Sequence, residues 1–215
     1  MKRILFQGDS ITDCGRSREV LTDVGNGYAY LVRAHYGLDK PGQFEILNRG
    51  ISGNRSVDVY ARIKQDIINL KPDYLSILMG VNDVWHELAI QNGVDTAKFE
   101  KIYTMLIEEV REALPDVKML ILEPYALPGE ATEGTLEDGR DKYTVFRKDT
   151  EEKAAACRRV AEKFNIPFVP LQAKLDEMQA AYGTEIVSYD GVHPNVMGHL
   201  LIARTWMEAF EKHYL

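Results

Sequence analysis

Short runs dense in apolar residues alternate along this chain with segments whose apolar residues recur every three or four positions. Arg3–Phe6, Phe44–Leu47, Tyr74–Met79, Met119–Leu122 and Pro167–Val169 are of the first kind and read as five strands. Phe99, Ile102, Tyr103, Leu106 and Val110 fall on one helical face, and Pro115 closes that helix. Val196, Leu200, Ala203, Met207 and Phe210 repeat the pattern near the C-terminus. Strands and helices alternating at this spacing predict an α/β fold, a parallel sheet covered on both faces. No repeat, low-complexity tract or linker interrupts it, so residues 1–215 are read as one domain.

One segment breaks the rhythm. "PYALPGEATEGTLEDGRDKYT", residues 124–144, follows the fourth strand and is rich in Pro, Gly and acid. A βα connection usually takes about 2–6 residues. The segment is either a solvated excursion or a wall of the site, since loops after strand ends surround the ligand crevice in open α/β sheets.

Composition narrows the class. An apolar content of 45% and a charged content of 27% are ordinary for a globular protein that does not sit in a membrane. The net charge of −7, with no Lys/Arg run, argues against a nucleic-acid partner. No apolar stretch approaches the ~20 residues that span a bilayer, and the run after Lys2 and Arg3 is too short for a secretory leader. Two cysteines, Cys14 and Cys157, are too few for a disulfide framework, which fits free thiols in the cytoplasm. No cluster with metal-ligand spacing and no phosphate loop occurs, so no metal and no cofactor is expected.

The chemistry gathers where strands end. "GDS" follows the first strand, "NRGISGN" the second and "GVNDVW" the third; "DGVHP" precedes the last helix. Each has a plain use: Asp-Ser caps helices, Asn-Asp forms turns, Gly53 permits a positive φ, and a histidine before proline is often structural. Together at one sheet edge they are complementary. A serine hydroxyl needs a base within reach, and the base needs a carboxylate to fix its tautomer. Asp190 and His193, three residues apart, have the spacing for that carboxylate to reach Nδ1 while Nε2 faces Ser10. The Ser10 N–H, the Gly53 N–H and the Asn82 amide are candidate donors to an oxyanion.

In order and spacing "GDSIT", "SGN", "GVND" and "DGVH" resemble the blocks of the SGNH (GDSL) hydrolase superfamily, and they span nearly the whole chain. The resemblance implies a three-layer α/β/α sandwich, flavodoxin-like, with a five-stranded parallel sheet. It implies Ser10 as nucleophile, Gly53 and Asn82 completing the oxyanion hole, and Asp190 with His193 completing the triad. The lipase elbow G-x-S-x-G is absent. The longer strings "GDSITDCGRSR", "RGISGN", "GVNDVW" and "HPNVMGHLLIAR" are similar to the bacterial intracellular acetylxylan esterases, which deacetylate xylo-oligosaccharides and form oligomers. On that resemblance the partner is a small acyl ester, an acetylated oligosaccharide, and the chain is a homo-oligomer with no membrane partner. The alternatives are a lysophospholipase or thioesterase and a non-catalytic binding module.

Around the core set, Trp85 is either a wall for a small acyl group or a core residue, and His86 is expected in an exposed loop. Asp9 is expected to bond local amides. Asp9, Arg55 and Trp85 are candidate substrate contacts, and Asp13 and Arg16 are expected near the crevice. Met197 and His199 are assigned to packing or surface. Trp206, Phe210, Tyr214 and Leu215 at the end of the last helix are expected to leave an apolar patch that marks a subunit interface.

Overall fold

Side chains of a strand point alternately to opposite faces, so a strand apolar at consecutive positions must be covered twice. In the computed structural model, which describes residues 1–215, the first strand, β1 (Lys2–Gly8), behaves this way. Ile4 and Phe6 enter one apolar cluster and Leu5 the other. Helix α1 (Ser10–Asp13) follows at once, then α2 (Tyr28–Asp39), β2 (Phe44–Asn48), α3 (Ser56–Ala61), α4 (Ile63–Asp66) and β3 (Tyr74–Leu78). The chain continues through α5 (Val81–Ile90), α6 (Thr96–Ala113), β4 (Lys118–Leu122), α7 (Lys142–Phe164), β5 (Phe168–Val169), α8 (Gln172–Tyr182) and α9 (Val196–Tyr214).

All five strands are parallel, in the order β2-β1-β3-β4-β5. The order reverses between β1 and β3, where a doubly wound sheet opens its ligand crevice. Helices α2 and α9 cover the Phe6 face, with the Phe6 ring 5.3 Å from Tyr28 and 5.0 Å from Trp206. Helices α6 and α7 cover the Leu5 face through Phe99, Tyr103, Leu106, Ala156 and Val160. The three-layer α/β/α architecture is the one expected.

Two expectations fail. Trp206 and Phe210 are fully buried, stacked at 4.7 Å, and the Tyr214 hydroxyl donates to the Met119 carbonyl at 2.5 Å. Tyr36, Phe44 and Tyr74 ring Phe210 within 6 Å, so the helix end leaves only Leu215 outside and offers no apolar patch. Val196 lies at the start of α9, exposed, before the helix reaches the sheet.

Candidate active site

The nucleophile candidate sits two residues beyond the end of β1. Asp9 caps α1, its Oδ1 accepting from the Ile11 N–H at 3.0 Å, and Ser10 is the first residue of the helix. Its N–H belongs to the first turn, where helix geometry supplies no acceptor. The Asn48 amide, at the end of β2, donates to the carbonyls of Thr12 and Val24 and its Oδ1 accepts from the Gly50 N–H. These bonds fix the second block against the first.

Gly53 follows with φ of +80°, and open space lies where a Cβ would stand. Conformation rather than crowding therefore calls for glycine there. Its N–H donates to no other group of the protein. Asn82, in the first turn of α5, gives one amide hydrogen to the Asn54 carbonyl at 3.2 Å. A primary amide carries two, so one remains for a ligand.

The other half comes from the hairpin before α9, closed by an antiparallel bridge from Ser188 to Pro194. Asp190 Oδ2 lies 2.7 Å from His193 Nδ1, and Oδ1 accepts from the N–H groups of Val192 (2.9 Å) and His193 (2.7 Å). A carboxylate only accepts, so Nδ1 carries the hydrogen and Nε2 offers its lone pair. Nε2 lies 3.0 Å from Ser10 Oγ. The hydrogen bond to Asp190 raises the His193 pKa above its ordinary value, against burial, which lowers it. Burial raises that of Asp190, but the His193 ring and the two amides outweigh it and hold the carboxyl below its usual range.

Ser10, Gly53, Asn82 and His193 line one cavity of ≈ 290 Å³ with Ser52, Trp85, His86, Ala89 and Ile90. The arrangement can activate a hydroxyl and receive an oxyanion, the two needs of acyl transfer.

Comparison with known proteins places the chain in one family. The GDSL-like lipase/acylhydrolase family matches residues 6–201. The chain belongs to this family. It is 32% identical to an acetylxylan esterase of Geobacillus stearothermophilus over 96% of this chain and 92% of that one. The crystal structure of Axe2, an acetylxylan esterase of the same organism, superposes with a TM-score of 0.84 at 28% identity, covering 97% of this chain and 93% of the other. LAE5, an α/β hydrolase from the metagenome of Lake Arreo, gives 0.84 at 28% identity over 98% and 95%. The chain is thus a carboxylic ester hydrolase of the SGNH/GDSL type.

Within this acylhydrolase the neighbours sort differently from their sequence reading. Asn82, Trp85, His86 and Ala89 share a face of α5 at spacings of three and four, so His86 is a half-buried helix residue rather than part of an exposed loop. The Trp85 ring stands 5.7 Å from His193 and is a wall of the cavity. Asp9 is not a substrate contact: it is 1% exposed, and Oδ2 has no hydrogen-bond partner. Burial pushes its pKa up to about 7. Arg55 does not itself line the cavity: it grips Asp58 and donates to the Asn92 carbonyl. Asp13 pairs with Arg18 and accepts from the Ser52 N–H, and the Arg16 Nε donates to the Gly50 carbonyl. His199 is buried against Cys14, its pKa lowered to about 4 by burial, while Met197 is exposed.

Residues 124–144 divide in two. Tyr125, Ala126, Leu127 and Thr132 are buried. The Tyr125 hydroxyl donates to the Val192 carbonyl at 3.0 Å, the Leu127 N–H to the Gly191 carbonyl at 2.8 Å and the Ala131 N–H to the Asp190 carbonyl at 2.9 Å. A Cβ on Gly129 would come 2.4 Å from the Asp190 backbone. The first half is a buttress for the Asp190–His193 hairpin, while residues 133–141 are largely exposed. No sequence signal marked that role, nor that of Arg62, whose guanidinium joins Asn54, the Arg49 carbonyl and the Gly8 carbonyl behind the oxyanion side. No cluster of three or more His, Cys, Asp or Glu is placed to hold a metal ion. No helix is long and apolar enough to cross a membrane.

Proposed function

We propose that the chain, one hydrolase domain over residues 1–215, removes acetyl groups from xylo-oligosaccharides or related carbohydrates in the cytoplasm. Ser10 Oγ attacks the acetyl carbonyl as His193 Nε2 takes its proton. The oxyanion is received by the Ser10 and Gly53 N–H groups and the free Asn82 amide hydrogen. Asp190 holds the imidazolium. His193 then returns the proton to the departing sugar oxygen, leaving acetyl-Ser10. A water, deprotonated by the same Nε2, attacks that ester, and collapse frees acetate and restores Ser10. The homo-oligomer belongs to the same reading and rests on the resemblance alone, since the buried C-terminal rings withdraw its structural motive.

The observation that carries the acetyl assignment is the small cavity, ≈ 290 Å³, that Trp85 and the end of α5 wall beside Ser10. Each methylene that found apolar room would gain about 0.8 kcal/mol. A cavity without that room reverses the trend, so kcat/KM is expected to fall steadily from acetyl to octanoyl p-nitrophenyl esters. A rise along the series would replace this reading by a lipid or thioester hydrolase.

A further inference from the structure

The cavity over Ser10 is small for an oligosaccharide, and it is not the largest concavity of the protein. A groove of ≈ 600 Å³ lies between the last turn of α5 and a wall made by residues 136–140 and the start of α7. The two share Ala89 and Ile90, which line both. They therefore adjoin at the last turn of α5, within reach of a ligand that extends from the nucleophile. Ile90 is 65% exposed there, an apolar side chain the fold leaves uncovered.

The lining has mixed chemistry. Leu88, Ala89, Ile90, Leu136 and Val145 give apolar surface, and Gln91 and Arg140 supply donors. Four acidic residues, Glu87, Glu137, Asp138 and Asp149, line it with a single cation, Arg140, which is itself paired with Asp138 at 2.7 Å. Such a groove suits a ligand with alternating C–H faces and hydroxyl groups. Its charge excess repels an anionic leaving group such as a nucleotide-bearing thiol or a phosphate ester. A neutral polyol chain meets no such penalty.

We propose that this groove is a distal binding site for the carbohydrate leaving group, taking the sugar units beyond the acetylated one. The exposed half of the segment after β4 thereby acquires a use distinct from that of its buried half. This inference rests on the carbohydrate reading above and goes beyond it in assigning the residues that read chain length.

The test compares p-nitrophenyl acetate, acetylated methyl xyloside and acetylated xylotriose on the wild-type enzyme and on Arg140→Ala and Val145→Trp. The trisaccharide is expected to exceed the monosaccharide by about tenfold in kcat/KM, mainly through KM. Both variants are expected to reduce that ratio to about two or below, because one removes a donor and the other fills the groove. Unacetylated xylotriose should inhibit p-nitrophenyl acetate hydrolysis by the wild type more strongly than it inhibits either variant. Arg140 is exposed, so its variant keeps the test open should the tryptophan disturb folding. Equal rates on mono- and trisaccharide, or a ratio unmoved in Arg140→Ala, would overturn the groove assignment and leave carbohydrate deacetylation standing. Turnover of p-nitrophenyl acetate with neither sugar accepted would remove the carbohydrate reading and the groove with it.

Discussion

The two sides of the Ser10 cavity are anchored in different ways. Ser10, Gly53 and Asn82 stand within a few residues of the carboxyl ends of β1, β2 and β3, three adjacent strands in register. Asp190 and His193 stand on no strand. Their hairpin lies between α8 and α9 and is held by its own turn bonds and by the buttress at residues 125–132. The donors and the nucleophile thus inherit the rigidity of the sheet. The base and its orienting carboxylate depend on packing between two loops. The strand ends place the first side, with the Asn48 and Arg62 bonds tying its loops together, whereas the second has no strand end and rests on loop bonds throughout.

The largest effect should come from cutting that network at its centre. Asp190→Asn would present an amide to Nδ1 and favour the wrong tautomer, which in a serine protease triad costs ~10⁴ in turnover. The same change has a pH signature. The base must be neutral to work, so kcat/KM should rise with pH through a value above the ordinary ~6.5 of histidine and then level off. The raised value is due first to the Asp190 bond, with burial opposing it. Removing that bond should move the limb to lower pH. A limb that stays in place would show that another group orients His193.

On the sheet side, Asn82→Ala removes one of three donors and should cost ~10²–10³ in kcat with a nearly unchanged KM. Folding should survive, because the side chain makes one hydrogen bond within the protein. Loss of activity through KM alone would separate Asn82 from the oxyanion.

Much of this division is visible in the sequence, for a physical reason. Parallel strands buried on both faces are short apolar runs, and Gly8-Asp9-Ser10, Gly53 and Asn82 follow three of them directly, so locating the strands locates the residues. The Asp190–His193 pair is legible only through its own three-residue spacing and the resemblance it carries. Its support is not legible, because Tyr125 and Gly129 act on residues about sixty positions away. The C-terminal rings mislead for the same reason: the residues that cover Phe210 are Tyr36, Phe44 and Tyr74, from three distant elements. Helix α5 hides behind a turn-like Gly80-Val81-Asn82, although the spacing of Asn82, Trp85, His86 and Ala89 marks it.

The smallest effect tests the buttress. Tyr125→Phe keeps the buried ring and leaves the Val192 carbonyl without its donor. Stability should fall by about 1–3 kcal/mol in denaturant unfolding. Turnover should fall by about tenfold or less, with the loss larger than that of an equally destabilising change far from the hairpin. Equal losses at equal destabilisation would mean that the hairpin holds itself.

The central claim is that Ser10, activated by His193, carries the acyl group. It is tested most directly by mass spectrometry after treatment with a small fluorophosphonate, which reacts with activated serines. The account predicts one equivalent added per chain, located on Ser10, with activity lost in proportion, and no comparable addition in His193→Ala. Inactivation with Ser10 unmodified, or labelling of Ser10 at an undiminished rate in His193→Ala, would contradict it.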